Sequence, residues 1–361
     1  VGHGFAAGGL ARYMSLSHYV GGIDMAGKVR FGLNLEFRNP PQFYRDPTKL
    51  YAEIIDHVVW AEGLGYDYIF LTEHHFTKDD WAPSPMMLLS AIAARTKRVR
   101  LSTSIMLLPF YHPVRLAEDG AVLDILSGGR YELAVGLGYR PEEFGGYGMK
   151  LQDRSRRADE MLEIIRRLWD GETVNFKGKF FQVENTRLTP RPVQQPRPPI
   201  MVGGYAPNAV KRAARMGDGL VGVTPQTYQI YVDELRRLGK DPAKARIIGG
   251  GGAWVFCSND PERMWNELAP YCMHSANTYA GWMETWNTPP AYTAARDLEE
   301  FKKSRQLRIV SPEKVCETIK RYVDATHCDT FFFMGNEGGC PMSIMREHIE
   351  LFASKVMPRF Q

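Results

Sequence analysis

Residues 71–80 read LTEHHFTKDD, and the chemistry they could carry turns on Glu73, His74 and His75. An imidazole near its ordinary pKa moves protons or hydrogen-bonds an anionic ligand at neutral pH, and an adjacent carboxylate can orient it. Three readings are open. As metal ligands, neighbouring histidines on extended backbone point opposite ways, and no H-x-H or H-E-x-x-H spacing accompanies them, so no metal is expected. As structural residues they would be hydrogen-bonded beneath a loop. As catalytic groups they need the mouth of a strand, and they do follow the apolar run YDYIFLT. A second feature is MVGGYAPNAV, where Gly203 and Gly204 run into a helix start, an arrangement that can cradle an anion with backbone N–H groups or simply form a tight turn.

A regular scaffold must place these residues. From residue 29 onward, short β-branched or aromatic runs alternate with stretches of helical period, the pattern of successive βα units and a parallel sheet. Strands are predicted at 29–35, 66–72, 99–107, 130–138, 199–204, 218–223, 247–257 and 328–335, as near-continuous apolar runs suited to burial on both faces. The first helix is marked by Asp46 as N-cap, by Pro47, and by Leu50, Ile54, Val58 and Ala61 at three- and four-residue steps before Gly63 and Gly65. Met161, Ile164, Ile165 and Leu168 repeat the pattern and read as packing. Eight such units predict an α/β fold, a (β/α)8 TIM barrel, and because typical barrels need about 250 residues, insertions as well. The insertions are expected at about 173–198, as a hairpin turning at Lys177-Gly178 with a Pro-rich connector that is either linker or a motif for SH3-like partners, and at about 258–310, rich in Trp and Tyr. Active sites of such barrels lie at the carboxyl ends of the strands, where His74 falls.

Composition narrows the partners. Net charge is +4, from 45 basic and 41 acidic residues without a long block of either sign, so small molecules are expected and neither nucleic acid nor membrane. No apolar run approaches the roughly 18 residues of a membrane span. Cys257, Cys272, Cys316, Cys328 and Cys340 form no C-x-x-C pair and are odd in number, which suits a reducing, cytoplasmic setting. Residues 1–28 are read as a leader outside the domain, possessing neither the basic start nor the apolar stretch of a secretory signal, and residues 29–361 as one barrel domain.

In order, GYDYIFLTEHHF, STSIMLLPFYHPVRLAEDGAVLDILSGGRYELAVGLG and SPEKVCETIKRYVDATHCDTFFFMG resemble the bacterial luciferase-like family of flavin-dependent oxidoreductases, over residues 29 to about 358. The resemblance implies that His74 is the histidine assisting proton transfer at the flavin, with Glu73 and His75 as catalytic or supporting neighbours and His112 as a second histidine near the site. It implies a non-proline cis peptide at Ser104-Ile105 beneath the flavin ring, and a phosphate loop of Gly203, Gly204, Tyr205 and Asn208. Arg157, with Arg154 close behind, is the expected cation. Two departures stand out: Gly136-Leu137 replaces the Cys-Arg pair of luciferase's catalytic subunit, which argues against light emission, and Glu-His-His replaces the Asp-His of the deazaflavin branch, which favours FMN.

The function so implied is a two-component monooxygenase in which reduced FMN from a separate flavin reductase, with molecular oxygen, oxidises a small, mostly apolar organic substrate. A deazaflavin-dependent dehydrogenase and a non-catalytic flavin-binding protein are the alternatives. The aromatic insertion after strand seven is expected to be either a mobile lid or helices packed on the barrel, and the resemblance further implies a homodimer formed through residues 84–127.

Overall fold

The computed structural model describes residues 28–250, 254–284 and 292–361. The expected leader, apart from Lys28, and Trp286 of the aromatic insertion lie outside the described residues. Nine parallel strands form one sheet: β1 (Arg30–Leu35), β2 (Tyr68–Leu71), β3 (Arg100–Thr103), β4 (Met106–Leu107), β5 (Leu133–Gly136), β6 (Ile200–Gly203), β7 (Gly219–Val221), β8 (Arg246–Gly250) and β9 (Thr330–Met334). Their order is β3-β2-β1-β9-β8-β7-β6-β5-β4, and a bridge from Leu101 to Tyr131 brings β3 against the approach to β5, closing the curve into the expected barrel.

Two predicted strands are interrupted. The run 99–107 is split into β3 and β4 at Ser104-Ile105, whose peptide bond is cis. The run 247–257 leaves the barrel after Gly250: Trp254–Cys257 pairs instead with Leu307–Val310 in a separate parallel pair, a strand hidden from sequence inside the second insertion. The hairpin is present, Thr173–Lys177 against Gln182–Arg187, with its turn over residues 178–181.

Helices α1 (Pro47–Gly63), α2 (Pro85–Arg95), α3 (Pro113–Ser127), α4 (Pro141–Gly146), α5 (Arg154–Trp169), α6 (Pro207–Met216), α7 (Pro225–Arg237), α8 (Pro261–Glu284), α9 (Leu298–Ser304), α10 (Pro312–Thr326) and α11 (Met342–Leu351) follow the strands or fill the insertion. Asp46 caps α1 by accepting from the Lys49 N–H, and Leu50, Ile54, Val58 and Ala61 are its buried stripe. The barrel interior is side chains rather than a channel: Tyr68, Phe70, Ala134, Met201, Val221, Ile248 and Phe332 pack together with Ile105. At the amino end, buried Glu132 accepts from Arg246 through both oxygens at 3.0 Å and from Tyr68 at 3.1 Å. With that end plugged, a ligand reaches the barrel from the carboxyl end.

Candidate active site

Beyond β2 the chain does not turn away at once. The Thr72 N–H donates to Leu35, Ala82 to Phe37, and Asn39 to Asp79, so residues 72–82 lie along the extension of β1. This holds Glu73, His74 and His75 at the barrel mouth, all buried. The Ser104 N–H, bonded to Leu71, places the end of β3 beside them.

The two histidines differ in what remains available on each ring. His75 Nε2 lies 2.8 Å from Glu73 Oε1 and its Nδ1 3.2 Å from the Tyr147 hydroxyl. A carboxylate only accepts, so Nε2 carries the hydrogen and, in the neutral ring, Nδ1 accepts from Tyr147. Glu73 also accepts from the Tyr111 hydroxyl and the Leu107 N–H, each at 2.9 Å, which ties the end of β2 to the end of β4. His75 and Glu73 therefore have their hydrogen-bonding capacity spent on the protein.

His74 instead bonds through Nδ1, 2.8 Å from Glu143 Oε1, while Nε2 meets no hydrogen-bonding partner among the described residues. Its ring stands among Trp81 at 4.6 Å, Trp282 at 4.8 Å, Tyr139 at 5.8 Å and Tyr279 at 6.1 Å. Burial pushes its pKa down; Glu143 opposes this, and Arg140 and Arg38 reinforce it, so the ring is neutral at neutral pH. Adjacent histidines on extended backbone thus serve two sides of the loop, as their alternation requires, and neither belongs to a metal cluster: among the described residues no group of three or more ligands could hold an ion.

Several members of this site were not assigned from sequence. Glu143 and Arg140 belong to the turn of α4, where Pro141 starts the helix, and GYRPEEF gave no sign that the second glutamate is buried and the first is not. Trp81 lies against the buried Arg38 guanidinium at 4.3 Å. Tyr279 and Trp282 come from α8, so the aromatic insertion is, where described, helix packed over the mouth; Ser275, Tyr279 and Trp282 recur at helical spacing, a signal the sequence did contain. Ser275 fastens this helix by accepting from Arg38 at 2.8 Å and donating to Glu337 at 3.0 Å.

The other sequence-assigned residues fall in two further places. The Ile105 side chain reaches toward β5 and β6, so closely that a Cβ on Gly136 would stand 2.1 Å from its Cδ1 and one on Gly203 2.7 Å. Gly136 is therefore glycine because Ile105 fills its space. Gly204 has φ +141°, and a Cβ there would lie 2.6 Å from that of Ala209, so the turn into α6 needs glycine for its geometry alone. Asn208 is exposed in the first turn of α6, whose N-terminus has no side-chain cap; Pro207 has no N–H and the Ala209 and Val210 N–H groups donate to the Ala206 carbonyl, so in that turn the Asn208 N–H is the one left for an anion. His112 and Arg157 are not brought to His74: both pack on Phe181 of the hairpin, His112 at 5.5 Å and the Arg157 guanidinium at 4.4 Å, and Arg157 donates to the Pro109 carbonyl.

These residues fit an anionic, planar cofactor. Tyr205 is 41% accessible, yet burial pushes its hydroxyl up to about 12, the combination found where a side chain is open to water but ringed by protein. Tyr139, Tyr279 and Tyr292 are likewise half-buried with hydroxyls pushed up by burial, and the last two stack at 4.9 Å. Tyr139 and Tyr279 stand beside the His74 ring. Burial and the like charge of Arg212 push the Arg154 guanidinium down, while Arg212 is itself paired with Asp159 and donates to Ser155. A small cavity of about 10 Å3, room for a single water, is lined by Gly136, Leu137, Gly203 and Arg212 among others.

A barrel of this form, with a histidine and aromatic side chains at its carboxyl mouth, defines a class of oxidoreductase scaffold rather than one reaction. The chain belongs to the luciferase-like monooxygenase family, whose profile matches residues 29–327. It is 36% identical over 179 residues to the oxygenase component of the flavin-dependent trigonelline monooxygenase of Acinetobacter baylyi, covering 49% of each chain. To the F420-dependent glucose-6-phosphate dehydrogenase of Amycolatopsis mediterranei it is 32% identical over 200 residues, covering 54% of this chain and 60% of that one. The chain thus spans about half the length of these curated relatives. Among solved structures, a monooxygenase from Streptomyces bottropensis superposes with a TM-score of 0.79 at 25% identity, covering 92% of this chain and all of that one. The oxygenating constituent of 3,6-diketocamphane monooxygenase from Pseudomonas putida, in complex with FMN, gives 0.73 at 21% identity, covering 92% and 99%. No described helix is long and apolar enough to cross a membrane.

Proposed function

We propose that the protein is the oxygenase of a two-component, flavin-dependent monooxygenase, taking reduced FMN from a separate reductase and using molecular oxygen to oxidise a small, largely apolar organic molecule in the cytoplasm. The observation that carries this reading is His74: neutral, clamped through Nδ1 and, among the described residues, without a hydrogen-bonding partner at Nε2, with Trp81, Trp282, Tyr139 and Tyr279 around its ring at the barrel mouth. Bound reduced FMN would supply the oxygen chemistry. The chain's own work is to hold it, to keep water away and to manage a proton. The Asn208 N–H at the start of α6, with Arg154 and Arg212, would take the phosphate, while Tyr139, Tyr205, Tyr279 and Trp282 would border the ring and the substrate. Ser104 and Ile105 would lie under the ring; Arg157 from α5 and His112 before α3, both packed against Phe181 of the hairpin, would lie at the rim. The F420-dependent relatives favour a second reading, hydride transfer to or from a deazaflavin.

A homodimer is proposed on α2 and α3, where Met87, Val122, Ile125 and Leu126 are exposed large apolar side chains on neighbouring helices. The activity is tested by titrating the protein anaerobically with reduced FMN, admitting oxygen, and following the return of oxidised-flavin absorbance. Saturable binding with reoxidation markedly slower than in buffer supports the monooxygenase. Reoxidation as in free solution, with tight binding of F420 instead, overturns it in favour of the second reading.

A further inference from the structure

The least expected member of the site is Glu143. Its side chain is fully buried, and one oxygen, Oε1, accepts from three donors: His74 Nδ1 at 2.8 Å, the His75 N–H at 3.0 Å and Arg140 Nη1 at 3.2 Å. The same Arg140 nitrogen donates to the His75 carbonyl at 2.9 Å, and the guanidinium stacks 4.2 Å from the Trp282 ring. The other oxygen, Oε2, and Arg140 Nε are buried without a partner. The carboxylate is thus committed through a single atom to the ring and backbone of the histidine pair.

We propose that Glu143 is a positioning residue for His74, fixing the imidazole with its hydrogen on Nδ1 so that Nε2 is the atom that takes a proton from a bound ligand, and stabilising the cation this produces. The inference rests on the preceding reading that His74 faces the reacting molecule. In the step, an X–H bond of the ligand breaks, X keeps the electron pair, and the proton forms the Nε2–H bond; the imidazolium then returns it to ligand or water. A carboxylate accepts only, so the Nδ1–H tautomer follows from the contact itself. The charged and titratable groups around the ring are Glu143 and Arg140 from the turn after β5, Arg38 from the segment after β1, and the hydroxyls of Tyr139 and Tyr279. Both guanidiniums disfavour the imidazolium, and Glu143 is the acid that favours it. Glu143 itself is pushed up by burial but held below its ordinary value by the donors from His74, His75 and Arg140, so it stays a carboxylate. A purely structural role, pinning residues 74–75 to α4, would need the acceptor oxygen but not its charge.

Glu143→Gln makes that distinction, because the amide keeps an acceptor of the same size where Oε1 stands. Ring-nitrogen NMR on the unliganded full chain, with His74→Asn to assign the signal, reads the His74 tautomer and titration directly. The expected result is an Nδ1–H tautomer in the wild type, a His74 midpoint that falls in Glu143→Gln, and a smaller fall in Glu143→Asp, which withdraws the carboxylate by one methylene. Turnover with reduced flavin should fall about 10- to 100-fold in Glu143→Gln, the weight of one charge-assisted hydrogen bond, with KM unchanged. The loss should vanish in the His74→Asn background. An unchanged His74 titration in both variants, or an undiminished loss on top of His74→Asn, would overturn the proposal. Because the NMR titration needs neither flavin nor substrate, a shifted midpoint in a protein that binds no flavin sinks the monooxygenase reading alone.

Discussion

His74 and His75 are neighbours in sequence with different predicted consequences when removed. In His75→Ala, Glu73 keeps its donors from Tyr111 and Leu107 but loses the one from Nε2, which costs about 1.5–3 kcal/mol for a hydrogen bond to a charged group. The ring's contacts with Phe110 at 5.4 Å and Tyr147 at 5.1 Å add about 1–2 kcal/mol at the usual worth of aromatic pairs. The expected loss is about 2.5–5 kcal/mol in urea unfolding, with flavin binding surviving where the protein stays folded. In His74→Asn, the side-chain amide still donates to Glu143, so stability changes by no more than about 1 kcal/mol, but the acceptor at Nε2 is gone and turnover falls about 10²- to 10⁴-fold. Turnover is followed as oxygen consumption with a flavin reductase. A His75→Ala protein of normal stability without activity, or a His74→Asn protein of normal activity, would refute the division of roles.

Packing at the end of β5 gives a second prediction: Gly136→Ala should cost about 1–3 kcal/mol by overpacking against Ile105, and nothing in an Ile105→Ala background, where the nearest Ile105 atom left is Cβ at 4.0 Å; additive effects in a denaturation cycle would contradict the contact. His57 is buried, and burial, opposed by the Gly335 backbone and reinforced by the charge of Arg346, pushes it from 6.5 down to about 4. Between those values the unfolded chain takes up a proton that the native one refuses, so stability is whole above pH 6.5 and about 3 kcal/mol is lost on acidification, a slope that His57→Gln should remove. Glu337 behaves oppositely: burial, then the charge of Glu36, push it from 4.5 up to about 8, so the native state holds a proton the unfolded chain releases and stability declines as pH rises through that interval. Glu337→Gln should flatten the decline in unfolding measured from pH 5 to 9. Leu126→Asp, on the exposed apolar face of α3, should shift the protein to monomer in sedimentation, and an unchanged mass would exclude that face as the interface.

What was legible in the sequence follows from range. Helices such as α1 announce themselves because cap, proline and apolar period lie within one turn of each other, and barrel strands because burial on both faces makes their runs continuous. The split at Gly250 was not legible: IIGGGGAWVFC is apolar throughout, and only the partner strand Leu307–Val310, some fifty residues away, draws Trp254–Cys257 out of the barrel. The site divides the same way. EHH marked the mouth of β2, yet which histidine keeps a free nitrogen depends on Glu143 and Tyr147, about seventy residues on, and on which face of a short turn each acid occupies. Gly136 makes the point most sharply. Read alone, the Gly136-Leu137 pair lacks the phosphate arginine, at Leu137; in the fold Gly136 is the space Ile105 requires, and the Arg212 side chain, from α6, borders the same small cavity as Gly136 and Leu137. A cation absent from a strand end can thus be supplied from the helices, so a departure from a family's local pattern bears on the mode of cofactor binding before it bears on whether the cofactor binds. Titrating FMN into Arg154→Ala and Arg212→Ala separates the two: weakened binding in either places the phosphate there, and unchanged affinity in both returns the question to the hairpin and Arg157.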